Sequence, residues 1–306
     1  RRRHGRVRVR QRRLPRQVRG GRQLLGAPAG LEWQPSVLQG DGRPRHQHRV
    51  WRAADDAAGG GDDGRRVVGL AQGSRPGGRA LRAGAARRAG ASDVRLIDQP
   101  MAAAIGSGLP IHEPIGNMVI DVGGGTAETA MVSMGGIVSL KAIRVGSFDF
   151  DAALQNYARR VHGVAIGERT AEEIKVQIGS AWAVEDEFDA EVKGRDLTTG
   201  LPRTFILSPD QVRSALDEPV QAVIDSVVDC LSQAPPELSQ DLLVHGVHLV
   251  GGGGLLKGLA QRIENDARVP VRIVRTPMEA VVLGAGRALD NFEALSSTLN
   301  SYGNRW

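Results

Sequence analysis

Two glycine-rich runs constrain this chain more than any other part of its sequence. Each of them, Asp121-Val-Gly-Gly-Gly-Thr126 and Val250-Gly-Gly-Gly-Gly254, follows a short β-branched segment, as at the end of a buried strand. Because glycine has no Cβ, the backbone amides of such turns can come close to anionic oxygens. The pair therefore predicts two halves of a nucleotide clamp. The candidate phosphate-binding residues are Gly123, Gly124, Gly125, Thr126, Gly251, Gly252, Gly253 and Gly254.

Asp121 ends the strand that enters the first turn, and its carboxylate is placed to reach a metal ion through water. Two alternatives stay open at this point. The first run is also typical of an ordinary hairpin, and the second of a strand-to-helix turn without a ligand. The presence of both runs in one α/β segment favours the nucleotide.

The charge of the chain is unevenly distributed. The first 90 of 306 residues contain 22 Arg, no Lys and 6 acidic residues, whereas the remainder contains 18 Lys or Arg and 28 Asp or Glu. Residues 1–80 show no helical or strand periodicity, so we expect a disordered or aberrant segment there, such as a reading frame translated out of register. The single cysteine, Cys230, excludes a disulfide framework, and no apolar run approaches the ~20 residues of a membrane span.

From about residue 81 the sequence alternates predicted strands and helices, which is typical of α/β layers. Strands are predicted at 91–97, 117–122, 129–132, 137–145, 247–250 and 271–274, with a hairpin near 185–207. Helices are predicted from Pro100, over 149–161 and over 255–266. Capping signals at Thr170, Ser208 and Thr276 predict three further helix starts, and 164–167 is predicted to be a loop.

Glu172 and Lys175 lie three residues apart on one predicted helix, so they share a face. A carboxylate there can hold ribose hydroxyls while the lysine stem lies along a base. A solvated ion pair between the two side chains is the alternative.

These runs resemble the bacterial rod-shape-determining MreB and Mbl family, which belongs to the actin, sugar-kinase and heat-shock-chaperone superfamily of ATPases. The resemblance covers about residues 85–292. It rests on the two glycine runs and on Leu96-Ile-Asp-Gln-Pro-Met-Ala-Ala-Ala-Ile-Gly106, Ile166-Gly-Glu-Arg-Thr-Ala-Glu-Glu-Ile-Lys175, Ile178-Gly-Ser-Ala181, Gly194-Arg-Asp-Leu-Thr-Thr-Gly-Leu-Pro202 and Pro235-Pro-Glu-Leu238.

The resemblance implies an actin-like, ribonuclease H-like ATPase fold. It places the remainder of a first domain at 81–145, a second domain at 146–292 and a tail at 293–306. ATP and Mg²⁺ would bind between the domains, with Glu172, Glu173 and Lys175 at the adenosine side. The protein is expected to form filaments with itself in the cytoplasm, at the inner face of the plasma membrane. There it would work with cell-wall synthesis and morphogenesis proteins to maintain rod shape.

Three departures from the family pattern modify this expectation. Gln99 stands where relatives carry a glutamate that orients the attacking water, so Gln99 and Asp121 are the candidate catalytic residues of a slow ATPase coupled to polymerisation. Val145-Gly-Ser-Phe-Asp149 replaces a Gly-Gly-Asp sequence that lies near the ribose and phosphates. Residues 1–80 show no first phosphate loop of the Asp-Leu-Gly-Thr-Ala-Asn kind, so part of the first domain is expected to be missing or aberrant, and ATP binding weakened.

Three other functions remain open on the sequence alone. A chaperone-like ATPase would continue into a substrate-binding domain, and a sugar-kinase-like ATPase would need a catalytic base and a substrate pocket. A nucleic-acid-binding protein would act through the basic residues 1–80. The resemblance favours the filament-forming protein and disfavours nucleic acid as a partner.

Overall fold

A computed structural model of the chain describes residues 65–70, 93–185, 187–291 and 295. The strands are β1 Arg65–Leu70, β2 Asp93–Asp98, β3 Asn117–Val122, β4 Ala127–Ser133, β5 Gly136–Ile143, β6 Val164–Ala165, β7 Ala190–Asp196, β8 Pro202–Leu207, β9 Val247–Val250 and β10 Val271–Ile273. The α-helices are α1 Gln99–Gly106, α2 Ser147–His162, α3 Glu168–Ile178, α4 Pro209–Ser232, α5 Pro236–His245, α6 Leu259–Ala267 and α7 Ala280–Asp290, and a 3₁₀ turn covers Gly253–Leu255. None of the helices in these ranges combines the length and apolarity that crossing a bilayer demands.

A five-stranded mixed sheet in the order β10-β9-β3-β4-β5 organises the described residues. Strands β3, β4 and β5 are antiparallel neighbours, while β3, β9 and β10 run parallel. A second, antiparallel sheet contains β6, β7 and β8, and β1 pairs with β2 in parallel. The parallel pairing of β3 with β9 matters most for function, because it brings two distant parts of the sequence to one sheet edge.

The central strand β3 is buried along its whole length, which explains its nearly continuous apolar sequence. Met118, Ile120 and Val122 face a large core that also contains Phe150 of α2 and helix α4. Val119 faces the opposite side, where it packs in a second core with α1 and α7. Helices therefore cover both faces of the sheet, as the predicted α/β layering requires.

Helices α1 and α7 approach each other at the level of their backbones. A Cβ on Gly106 would lie 1.8 Å from the carbonyl oxygen of Ala280, and one on Gly284 would lie 1.7 Å from that of Ala102. Arg287 donates to the carbonyl oxygens of Ile105 and Gly106, at 2.8 and 2.9 Å. Glycine is thus required for the close packing that supports α1 and Gln99 at its start.

Several predicted elements are confirmed. The strand at 117–122 has the predicted bounds, and the hairpin near 185–207 is formed by β7 and β8. The capping signal at Ser208 is also confirmed, because Ser208 Oγ accepts from the Gln211 amide at 3.3 Å and Gln211 Oε1 accepts from the Ser208 amide at 3.1 Å.

Four local predictions were wrong. Helix α3 begins at Glu168, so Thr170 lies inside the helix and does not cap it. The helix predicted over 255–266 is divided into the 3₁₀ turn and α6, and the helix predicted after Thr276 begins at Ala280. The loop predicted at 164–167 contains the short strand β6, which pairs with β7. For β6 a tertiary pairing overrode the local signal. The other three differences concern where a helix begins or divides.

The predicted division at residue 145 does not follow the sheet. Strand β3 of the predicted first domain pairs with β9 of the predicted second, so β3 to β5 share one sheet with β9 and β10. This pairing is too distant in sequence to be predicted from a local pattern. Within 1–80, where no ordered element was predicted, the structure describes strand β1. The rest of 1–80 and, apart from Leu295, the predicted tail at 293–306 lie outside the described residues.

Candidate functional site

The two glycine turns lie side by side. Asp121 of β3 is in register with Val250 of β9, and because these strands are parallel, both turns leave the same edge of the sheet. Gly251 has a φ of +84°, and a Cβ on it would lie 2.3 Å from the carbonyl oxygen of Val122 and 2.5 Å from Asp121 Oδ1. The second turn therefore packs directly against the strand that leads into the first turn.

Gln99 and Asp121 contact each other at this edge. Gln99 Nε2 donates to Asp121 Oδ2 at 2.8 Å, which joins the start of α1 to the end of β3. Asp121 is only 3% exposed. Burial raises the pKa of its carboxyl above the ordinary value, and the hydrogen bond from Gln99 opposes that shift. The structure thus brings together the two residues that the sequence predicted to be catalytic.

The first turn is tight and rests on the start of α2. The Gly123 amide donates to the Thr126 carbonyl oxygen at 2.9 Å and closes the turn, while the Ser147 amide donates to the Gly123 carbonyl oxygen at 2.9 Å. No backbone hydrogen bond between the described residues occupies the amides of Gly124 and Gly125. Unoccupied donors beside a glycine turn are the groups that an anion such as phosphate needs.

Lys175 joins α3 to the start of α2, next to the first turn. Its Nζ donates to the carbonyl oxygen of Ser147 at 3.1 Å, to Ser147 Oγ at 2.6 Å and to Asp151 Oδ2 at 2.8 Å. The Lys175 and Asp151 side chains are 11% and 13% exposed, so this ion pair is largely screened from water. Burial raises the pKa of Asp151, and the hydrogen bond and charge of Lys175 oppose that shift.

The other two residues of the predicted adenosine side have different surroundings. Glu173 forms an i,i+4 ion pair with Arg169 at 3.1 Å, and Glu172 is exposed. The alternative of an ion pair between Glu172 and Lys175 is wrong, because Lys175 pairs with Asp151. The structure brings Lys175 close to the first turn and leaves Glu172 and Glu173 on the more exposed part of α3.

The second turn is also joined to α3. Lys257, which follows the 3₁₀ turn, donates from Nζ to the Gln177 carbonyl oxygen at 2.9 Å, and its own carbonyl oxygen accepts from the Ala181 amide at 2.7 Å. The Gly251 amide donates to the Pro277 carbonyl oxygen at 2.9 Å. Helix α3 therefore contacts the surroundings of both glycine turns, through Lys175 at one point and Gln177 at another.

Two acidic residues of this region were missed by the sequence reasoning. Glu128 of β4 lies directly opposite Asp121 in the antiparallel register and is 1% exposed, so two buried carboxylates share one face of the sheet. Asp151 lies on the buried face of α2, in the same stripe as Leu154 and Ala158. The available signal was the same in both cases, namely a charged residue at a position where the pattern requires an apolar one.

The functional groups at this edge of the sheet are of the kinds that bind a nucleotide and its metal ion. The glycine turns offer amides to phosphate oxygens, and Asp121 offers a carboxylate at the same edge. Among the residues described, no group of three or more His, Cys, Asp or Glu side chains could hold a metal alone. A Mg²⁺ ion at this edge would therefore take most of its ligands from phosphates and water, as Mg²⁺ commonly does.

A family model and individual related sequences identify the same family for this chain. The model of the MreB/Mbl protein family matches residues 68–297. The cell shape-determining protein MreB of Escherichia coli strain K12 is 44% identical over 205 residues, and Mbl of Bacillus subtilis strain 168 is 40% identical over 211 residues. The alignments cover 67% and 69% of this chain, and 59% and 63% of those relatives. The chain thus spans about three fifths of the length of these relatives.

Comparison with solved structures confirms the actin-like fold that the sequence predicted. MreB5 of Spiroplasma citri bound to AMPPNP matches with a TM-score of 0.72 at 29% identity, over 76% of this chain and 69% of that chain. A MamK double helical filament matches with a TM-score of 0.62 at 18% identity, over 74% of this chain and 69% of that chain. The MamK match is a likeness of fold alone.

Proposed function

This chain belongs to the MreB/Mbl family, and on that premise we propose that it binds ATP with Mg²⁺ and assembles with copies of itself into filaments. The nucleotide would lie at the edge formed by the ends of β3 and β9. Gly123, Gly124, Gly125 and Thr126 would hold one side of the phosphates, and Gly251, Gly252, Gly253 and Gly254 the other.

One observation carries the proposal. The register of Asp121 with Val250 makes two glycine turns, about 130 residues apart in sequence, leave one sheet edge together. The contact between Gln99 and Asp121 adds a group that can orient water and a carboxylate that can reach Mg²⁺ through water. MreB5 of Spiroplasma citri, which has the same fold, binds AMPPNP and ADP.

The remaining roles follow from the family. Glu172, Glu173 and Lys175 would lie at the adenosine side, with Lys175 positioned by Asp151 and Ser147. Turnover would be slow and would time the growth and loss of filaments. The filaments would lie in the cytoplasm at the inner face of the plasma membrane, organise cell-wall synthesis with morphogenesis proteins and maintain rod cell shape.

Nucleotide binding is tested by titrating the full chain with MgATP in a calorimeter. We expect saturable binding that depends on Mg²⁺ and that weakens at least tenfold, by about 1.4 kcal/mol, in Asp121→Asn. Asp225→Asn is the matched control, because Asp225 lies on the exposed face of α4 and accepts from Gln221 of the same helix. Equal affinities of Asp121→Asn and the parent would contradict the assignment of Asp121.

Filament assembly is tested by pelleting in MgATP, in MgADP and without nucleotide, with electron microscopy of the pellet. The proposal expects filaments that depend on MgATP. A soluble chain whose hydrolysis is stimulated by peptide would favour the chaperone-like alternative. ADP release that depends on added sugar would favour the kinase-like one.

A further inference from the structure

The side chain of Phe148 lies at an unusual place for an aromatic residue. It is the second residue of α2 and is 64% exposed, so burial contributes little to holding it there. Its side chain has no polar atom, so it cannot accept from the unpaired amides of the first helical turn. Phe148 also belongs to the segment 145–149, in which this sequence departs from the Gly-Gly-Asp of its relatives.

The phenyl ring covers the first glycine turn. A Cβ built on Gly124 would lie 2.8 Å from Phe148 Cε2 and 3.0 Å from Cζ, so the ring occupies the space next to the Gly124 backbone. The Phe148 amide donates to the Gly124 carbonyl oxygen at 2.7 Å, which fixes the backbone below the ring. The backbone hydrogen bond thus holds the ring against the turn, while most of the side chain is exposed to solvent.

The residue next to Phe148 in sequence contacts the other part of the proposed nucleotide site. The neighbouring residue, Ser147, accepts two hydrogen bonds from Lys175, which lies at the proposed adenosine side. The ring of Phe148 itself lies against Gly124, whose amide is among the proposed phosphate donors. A phosphate that approaches the Gly124 backbone from the side of its missing Cβ meets the phenyl ring.

We propose that Phe148 is a steric gate on the first glycine turn, and that its ring must rotate away before a phosphate reaches the Gly124 amide. This inference rests on the proposed function. It makes Phe148 an affinity-limiting residue of the nucleotide site, because every binding event includes the free energy of moving the ring to a less favourable rotamer. The gate acts against nucleoside polyphosphates as a class, since the ring lies against the turn whose amides are the proposed phosphate donors.

The gate is tested with the full chain and a fluorescent ATP analogue in the presence of Mg²⁺. Phe148→Ala uncovers the turn, so we expect its affinity to rise about three- to tenfold above that of the parent. Phe148→Trp keeps the cover and should bind as the parent does, or more weakly. Leu197→Ala is the matched control, since Leu197 is a similarly exposed apolar residue, 52% exposed, near the β7–β8 turn.

The outcomes separate the gate from the proposed function. If the parent binds the analogue and Phe148→Ala binds with equal or lower affinity, the gate is overturned and the nucleotide site stands. If no variant binds at millimolar concentrations of the analogue, the proposed nucleotide site is overturned, and the gate with it, because the parent was expected to bind. Urea unfolding of each variant verifies that the comparison is between folded proteins.

Discussion

Single residues decide how closely the two glycine turns can approach, and Gly251 is the clearest case. Its φ of +84° and the 2.3 Å separation between a built Cβ and the Val122 carbonyl oxygen leave no room for a side chain. We expect Gly251→Ala to lower the free energy of unfolding by about 2–4 kcal/mol, measured by urea denaturation. Gly286→Ala is the control, because a Cβ there meets no described atom within 4 Å outside its own helix backbone and chain neighbours. A similar stability for the two variants would contradict the packing described.

The role of Gln99 in ATP hydrolysis can be tested by a single substitution. A glutamate in its place could accept a proton from the attacking water, which an amide cannot. We expect Gln99→Glu to release phosphate from MgATP roughly tenfold faster than the parent, measured with a coupled phosphate assay. Gln211→Glu is the control, because either side chain completes the cap of α4. Equal rates in Gln99→Glu and the parent would remove this explanation of slow turnover.

At the scale of elements, the turn of the β7–β8 hairpin is stabilised by hydrogen bonds to one carboxylate. Asp196 Oδ1 accepts from the amides of Thr198 and Thr199, both at 2.9 Å, and Oδ2 accepts from Arg203 at 3.0 Å. The Thr199 amide, then Arg203, lower the pKa of Asp196 to about 2. Because the pKa of the folded state is depressed, this stabilisation is present above the ordinary value of 3.8 and is lost as pH falls through about 2.

The turn of the hairpin should therefore keep its hydrogen bonds to Asp196 until the pH approaches about 2. In NMR spectra we expect the amide signals of Thr198 and Thr199 to stay constant between pH 5 and 3, and then to shift with a midpoint near pH 2. In Asp196→Asn the acid-induced shift should be absent, since the amide cannot titrate. A midpoint near the ordinary value of 3.8 in the parent would show that these hydrogen bonds do not form in solution.

The packing of α3 against α2 depends on a nearly buried ion pair. Removing Lys175 leaves Asp151 without its counter-charge, so its pKa in the folded state should rise further above the ordinary value. A raised pKa disfavours the folded state at higher pH. We expect Lys175→Met to lose about 1–3 kcal/mol of stability at pH 7.5 and much less near pH 4, measured by urea denaturation.

A double-mutant cycle provides the control for this pair. Asp151→Asn combined with Lys175→Met removes both charges, so the double variant should be more stable at pH 7.5 than Lys175→Met alone. If the loss in Lys175→Met does not depend on pH, the ion pair is not its cause.

At the scale of the whole molecule, bound nucleotide should stabilise the sheet and helices that surround the site. A ligand that binds only the folded state contributes about 2.7 kcal/mol at a concentration of 100 times its Kd, which corresponds to roughly 5 °C in Tm for a chain of this size. We expect that shift with MgATP in thermal unfolding of the parent, and little of it in Asp121→Asn. An unchanged Tm at saturating MgATP would contradict binding at this edge.

Much of this architecture could be predicted from local sequence. The glycine runs indicated two strand-terminating turns, the apolar run at 117–122 indicated a buried strand, and Ser208 with Gln211 indicated the start of α4. Such signals are local, because a turn needs glycine at a fixed position and a cap needs a side-chain oxygen three residues from an amide. The ordered motifs also identified the family.

Only the tertiary structure decided which of these elements meet. The pairing of β3 with β9 joins strands about 130 residues apart and crosses the predicted domain division, and no local pattern specifies a partner at that distance. The partner of Lys175 was decided in the same way. Lys175 forms its ion pair with Asp151 of another helix, and not with Glu172 of its own helix. The sequence therefore determined which groups are available, and the packing of distant elements determined which of them share a site.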